Sequence, residues 1–277
     1  MTLKATLRQN RLLAFATALV VVQVGLALLV PVLGFKDPYL QVMAQRIRPP
    51  GAAHLLGTDQ LGRDVLARIV YGYRTSLLTC GAAVALALVM GGSIGLIAAY
   101  YRGWADRLLM RAMDVLFAFP ILLLAIGIIA VLGPSSLSAA YAIAVVYTPI
   151  FARLLRGPAL VICESEYVQG ARAIGASDAR ILFSHVLPNL ISVILVQASI
   201  LLSAAILVEA SLSFLGLGAR PPVPSLGLML SEGRNFLLLS PWPAVFAGLA
   251  ILFLSFGFNL LGDALRDTLD PRLRQGS

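Results

Sequence analysis

LLTCGAAVALALVMGGSIGLIAAY, residues 77–100, runs for 24 positions without a charged side chain. A helix rising about 1.5 Å per residue needs roughly 20 apolar residues to cross about 30 Å of hydrocarbon. The run therefore predicts a helix that spans a bilayer. Reading outward from it, five more stretches qualify: 12–33, 115–132, 137–155, 190–208 and 245–261. Pro149 interrupts the one at 137–155, which membrane helices tolerate when neighbouring helices satisfy the freed carbonyl. The stretch at 12–33 follows Lys4, Arg8 and Arg11 like the start of a signal peptide. It is longer than such a segment and lacks a small-x-small cleavage site, so it reads as a retained anchor.

Composition agrees with this pattern. Of 277 residues, 59% are hydrophobic and 12% charged, and the mean hydropathy is +0.90. Soluble proteins carry roughly 25% charged residues, so a water-soluble enzyme is excluded. Gly (24) and Pro (15) have no period and there are 2 Cys, which excludes collagen-like and disulfide-stapled folds. No internal repeat or low-complexity segment is present. The expected fold class is an all-α polytopic membrane protein with six transmembrane helices.

The net charge of +8 comes from 21 Lys+Arg against 13 Asp+Glu. No dense basic run points to nucleic acid; the arginines sit between apolar spans, where they set orientation. With the N-terminus inside, 13 basic residues fall on the cytoplasmic side and 8 outside. Both termini are thus expected in the cytoplasm.

Much chemistry is missing. Neither Lys4 nor Lys36 follows a glycine-rich phosphate loop, so the chain has no ATPase motif. His54 and His185 are predicted on opposite sides of the membrane, and no HExxH, CxxC or GxSxG occurs. Gly57–Gly62 and Gly91–Gly92 lack a dinucleotide fingerprint. Cys80 and Cys163 carry no motif. An ion-coupled transporter would show ionisable groups within its spans, and only Glu209, at the end of the fifth, approaches this. It reads either as an interface residue, solvated or paired with arginine, or as part of a translocation path.

The long loops hold the informative patterns. Residues 164–189 read ESEYVQGARAIGASDARILFSHVLPN. Tyr167, Val168, Ala171 and Ile174 have the spacing of one helix face. Gly170, Ala171 and Ala173 leave the surface low enough for close approach by another protein. Gly175 permits a sharp turn, Ser177 or Asp178 can cap a second helix, and Pro188 is expected to break into the fifth span. On the other side, Thr58 or Asp59 can cap a helix from about Gln60. Val65, Leu66, Ile69 and Val70 would form its apolar face, an amphipathic helix lying at the outer interface. The segment 209–242 is too interrupted by Gly and by Pro221, Pro222 and Pro224 to span; 226–230 suits a short helix.

These loops carry a family resemblance. Gln169-Gly170-Ala171, Gly175 and His185-Val186-Leu187-Pro188 have the spacing of the "EAA" loop of ABC importer permeases. Gln169 replaces the usual Glu, Gly170 an Ala, and His185 an Ile. The YV-x-x-AR-x-x-GAS and HVLPN forms resemble the second-type permease of the dipeptide/oligopeptide/nickel branch. So do GTD-x-x-GRD-x-x-x-R at 57–68, SFLGLG at 213–218 followed by PP-x-PS-x-G, FNLLGDALRD at 258–267, and LDPR at 269–272. The resemblance covers about residues 55–272.

It implies a type I ABC importer (MetI-like) permease fold. Residues 1–75 would form an N-terminal transmembrane helix and a periplasmic loop with an interfacial helix. Residues 76–277 would form a permease core of five transmembrane helices, with a cytoplasmic coupling loop at 156–189. The ATPase-coupling residues it implies are Tyr167, Gln169, Gly170, Ala171, Arg172, Ala173, Ile174, Gly175, His185, Leu187 and Pro188. Asp59, Arg63, Asp64 and Glu209 would contact the binding protein or substrate. The chain would bind no cofactor or metal; ATP and Mg would sit on partner subunits. The implied partners are a homologous permease in a heterodimer, two ABC ATPase subunits, a periplasmic or lipoprotein substrate-binding protein, and the lipid bilayer of the bacterial inner membrane. The ligand would be a di- or oligopeptide, with nickel, glutathione or an opine as alternatives.

Overall fold

The computed structural model describes residues 11–30 and 34–269. The chain runs through α1 (Arg11–Leu29), a 3-10 turn (Met43–Gln45), α2 (Val65–Tyr101), α3 (Gly103–Phe117), α4 (Ile121–Leu132), α5 (Ser136–Cys163) and α6 (Glu166–Ala173). It continues through α7 (Asp178–Phe214), α8 (Leu226–Arg234) and α9 (Trp242–Leu269). Among the described residues there is one isolated β-bridge, Thr58 to Asp64. Helices α1, α2, α5, α7 and α9 are each long and apolar enough to cross a membrane. A sixth crossing is completed when α3 and α4 are taken as one broken span.

Three expectations change. The stretch 115–132, read as one straight span, is the end of α3 and all of α4, bent by 91° across residues 118–120. Pro120 removes a backbone donor and disfavours helical geometry at the residue before it, so the helix stops and restarts there. The helix expected separately at the outer interface from Gln60 is instead the first turns of α2. Its cap is Asp64, whose carboxylate accepts from the Ala67 amide at 3.0 Å. Residue 75 falls inside this helix. Finally, Pro188 does not break the chain: α7 runs on from Asp178 through a widened π turn at Ile181–Val186. The proline sits in the first turn after that widening, where its missing N–H costs little.

The core is built on α2 and α5, the most extensive helix pair. Ala83, Ala87, Gly91 and Gly95 recur every fourth residue on α2, as do Ala140, Ala144, Thr148 and Ala152 on α5, and all are buried. Side chains four apart lie on one helix face, so these are two small-residue stripes laid against each other. Without a hydrophobic drive between helices in lipid, such stripes hold helices through close van der Waals contact. At Gly91 and Gly95 an added methyl would overlap the carbonyls of Thr148 and Ala152. The glycine pair that matched no nucleotide fingerprint is a packing device.

Helix α1 is attached along α9. Gln23 is buried and its amide donates to the Phe253 carbonyl at 2.7 Å, over Gly257. A Cβ at Gly257 would fall 2.6 Å from Gln23 Oε1. Gly257→Val is therefore expected to push the Gln23 side chain aside and break its bond to the Phe253 carbonyl, weakening the α1–α9 contact by about 0.5–1.5 kcal/mol. A lowered melting temperature of the detergent-purified chain would register it, and Gln23→Ala in the same chain should restore part of the loss by making room. Equal melting of Gly257→Val and wild type would refute the packing argument.

Candidate functional site

The two loop regions with motifs lie at opposite ends of α2. With 37 residues, that helix is about 55 Å long, well beyond the hydrocarbon thickness.

At its carboxyl end sits the 164–189 segment. Helix α6 turns Val168 inward against Ile181, Val186, Leu190 and the ends of α2 and α5. Tyr167 and Ile174, expected on the same face as Val168, point outward; Ile174 is 88% exposed and Phe183 on α7 is 69% exposed. The helix ends where expected: Gly175 has φ +82°, and the Gly175 and Ala176 amides donate back to the Arg172 and Ala171 carbonyls. Ser177, not Asp178, caps the next helix. Gln169, standing where the family has Glu, donates to the Glu164 carbonyl at 2.8 Å. Asn189 donates to the Tyr167 hydroxyl at 3.2 Å and the His185 carbonyl at 2.6 Å, tying the two halves together. Gly170, Arg172 and Ala173 are exposed, Ala171 half-buried. Leu187 and Pro188 lie within α7.

At the amino end of α2, four charges meet. Asp59 Oδ2 accepts from Arg63 Nε and Arg68 Nη1, each at 2.6 Å. Glu232 Oε2, from α8, accepts from Arg63 Nη2 and Arg68 Nη1, each at 2.9 Å. Asp59, Arg63 and Arg68 are buried, Arg68 almost completely. Asp59 Oδ1 also accepts the Leu61 and Arg63 amides, which fixes the turn. Asp64 pairs with His54 Nδ1 at 2.8 Å, and His54 Nε2 reaches Gln45 at 2.8 Å. Asp59 and Arg63, singled out from the sequence as contact residues, are turned inward as a lattice. Arg68 and Glu232 were not singled out. The last position of GTD-x-x-GRD-x-x-x-R marked Arg68; nothing local marked Glu232, 164 residues away.

Glu209 is neither solvated nor paired with arginine. It is buried in α7 and accepts from Ser213 at 2.6 Å, Ser76 on α2 at 2.9 Å and Ser225 at 3.4 Å. Ser225 is the N-cap residue of α8, so the carboxylate joins α2, α7 and the start of α8. No group of three or more His, Cys, Asp or Glu that could hold a metal occurs among the described residues.

Comparison with known proteins bears on both ends. Residues 91–275 match the family model described as binding-protein-dependent transport system inner membrane component. The dipeptide transport system permease protein DppC of Alkalihalophilus pseudofirmus is 43% identical over 268 residues, 97% of this chain and 88% of that one. The glutathione transport system permease protein GsiD of Pectobacterium atrosepticum is 48% identical over 225 residues, 81% of this chain and 75% of that one. Among solved structures, the inward-facing MetNI methionine ABC transporter superposes with TM-score 0.59 at 17% identity, over 73% of this chain and 97% of that chain.

Proposed function

The chain belongs to the binding-protein-dependent transport system inner membrane component family, as a permease subunit of an ABC importer, and on that premise we propose that its ligand is a di- or oligopeptide. It is an integral membrane protein with a MetI-like fold and, among the described residues, five to six apolar helices. In the proposed assembly it pairs with a homologous permease, and the path for substrate lies between the two. Two ATPase subunits bind ATP and Mg at the cytoplasmic side, a substrate-binding protein docks outside, and both termini are cytoplasmic. The anchor and outer loop then fall in the 1–75 segment, which also takes in the first turns of α2, and the permease core in 76–277.

The observation that carries the coupling reading is α6. It is a short helix held by Val168 from behind, presenting Ile174, Tyr167 and small residues outward. That shape suits insertion into a cleft of an ATPase. The coupling residues Tyr167, Gln169, Gly170, Ala171, Arg172, Ala173, Ile174, Gly175 and His185, with Leu187 and Pro188 behind, fall in this projection. ATP binding and hydrolysis drive alternating access because ATP binds the two states with different affinity. At the other end, Asp59, Arg63, Asp64 and Glu209 act on the binding protein or substrate through the surface they hold in shape.

The test is ATPase activity of the full complex in nanodiscs, with the binding protein loaded with dipeptide, longer peptide, glutathione or nickel chelate. Strong stimulation by peptides is the expected result. Stimulation by glutathione alone would narrow the ligand to that tripeptide, which the GsiD relative favours. Stimulation by nickel chelate alone would refute the peptide reading.

Gly175 gives a separate test. A Cβ there meets no atom of this chain, so the substitution acts on the chain's own fold through backbone strain. A β-branched residue in the left-handed region costs about 1–2 kcal/mol or more, relieved by unwinding the turn that orients α6. Gly175→Val is expected to abolish transport while membrane insertion stays normal. Unchanged transport would overturn this role for the turn.

A further inference from the structure

Both ends of the projecting loop are fastened to one three-residue stretch, residues 100–102. Helix α2 ends on Tyr100 and Tyr101, and Arg102 follows with φ +53°, a left-handed conformation uncommon for a side-chain-bearing residue. Arg102 pairs with Glu164, at the start of the loop, at 2.8 Å. The Tyr100 and Tyr101 hydroxyls donate to the two oxygens of Asp178, at the end of the loop, at 2.7 and 3.1 Å. Arg172, at the last turn of α6, lies over the Tyr100 ring at 4.9 Å. Between these groups is a cavity of about 520 Å³ lined by Tyr100, Tyr101, Arg102, Glu164, Gln169 and Arg172. This cleft is open to solvent, and beside it Tyr100 also packs into the apolar cluster around Val168. None of Tyr100, Tyr101 and Arg102 belongs to a motif legible in the sequence.

We propose that Tyr100, Tyr101 and Arg102 are positioning residues that lock the coupling loop to α2, so that loop and helix move as one body during transport. The proposal rests on the reading of α6 as the ATPase-docking helix. Its consequence follows from the length of α2. The far end of the same unbroken helix carries Arg68, a member of the charge lattice that ties it to α8. A displacement of α6 by the ATPases is thereby delivered to the opposite side of the membrane along one rod. A loop joined only by its flexible ends would dissipate it.

The test uses the full complex of both permeases, the ATPases and the binding protein. Spin labels at Val89→Cys on α2 and Glu166→Cys on α6, both exposed sites, report loop position in a chain with Cys80→Ala and Cys163→Ala. In the otherwise unaltered chain the distance between labels should be the same without nucleotide and in the ATP–vanadate state. Tyr100→Phe/Tyr101→Phe removes both hydroxyls while keeping the rings, and should make that distance shift between the two states. The same double variant should keep its ATPase subunits and basal hydrolysis. Stimulation by binding protein loaded with dialanine should fall roughly two- to fivefold, because solvent at the exposed Asp178 weakens both bonds. Arg102→Glu should behave alike and recover with Glu164→Arg. A distance that changes between states in the unaltered chain, or a double variant with an unchanged distance, would overturn the clasp. ATPase subunits that fail to assemble with the unaltered chain would overturn the docking reading itself. Assembly with no response to dialanine would reject only that ligand, because the label distances read the clasp without one.

Discussion

Gly95→Leu is expected to prevent accumulation of the folded permease. The position faces the Ala152 backbone, and even a single methyl there would overlap the Ala152 carbonyl. A flexible side chain could swing aside, but a helix backbone cannot, so α2 and α5 must move apart. Overpacking typically costs about 1–3 kcal/mol, occasionally more, and here it also opens the stripe on either side of it. Lipid offers no hydrophobic compensation, since its tails are as apolar as the separated faces. Gly95→Ala should therefore lower the thermal midpoint clearly, and Gly95→Leu should leave little monodisperse protein on size exclusion. Gly81 on the same helix supplies the control. A Cβ there meets open space, so Gly81→Ala should be neutral or slightly stabilising, as helix propensity predicts. Equal behaviour of Gly81→Ala and Gly95→Ala would refute the close-approach argument.

This stripe illustrates what the sequence made legible and what it hid. Long uncharged runs located the helices, because the cost of burying charge in hydrocarbon shapes composition directly. Four of the six expected spans fall within single helices, α2, α5, α7 and α9. The fifth, at 12–33, corresponds to α1, with 31–33 outside the described residues. Composition is blind to direction, however, and the 115–132 run contains a right-angle turn that no hydropathy sum registers. The Phe119-Pro120 pair was the available signal. The α2 start was misplaced for a different reason. Thr58 and Asp59 are good caps in isolation, but both are engaged elsewhere, Thr58 with Arg48 and Gln45, Asp59 with two arginines. Asp64 was left to cap. In the projecting loop, spacing placed Val168, Tyr167 and Ile174 on one face. A helix of eight residues packed through one side chain has room for only Val168 inside. The readings that involve Lys4, Arg8, Arg272 and Arg274, including the LDPR motif beyond Leu269, lie outside the described residues.

Arg68→Met is expected to destabilise the protein by about 3–5 kcal/mol, the usual cost of breaking a buried ion pair from one side. The lattice is balanced: Asp59 and Glu232 face Arg63 and Arg68, and each carboxylate takes a bond from each guanidinium. Removing Arg68 leaves two carboxylates converging on Arg63 with a negative charge uncompensated and little water to screen it. The decisive comparison is the double variant Arg68→Met/Asp59→Asn, which restores charge balance. If the lattice acts electrostatically, the pair of changes costs less than the sum of the single ones, and the cycle gives a coupling of at least about 1 kcal/mol. Additive losses would mean that Arg68 matters only for the volume it fills. Glu232→Gln should separate the function of the lattice from its stability, because Glu232 is its most exposed member, at 21%, and belongs to α8. Its loss removes the ionic tie between α8 and α2, leaving the Glu209 link at the start of α8, while Asp59 still holds both arginines. Binding-protein stimulation should therefore fall more than melting temperature does. A variant that melts lower but is stimulated normally would restrict the lattice to holding the fold.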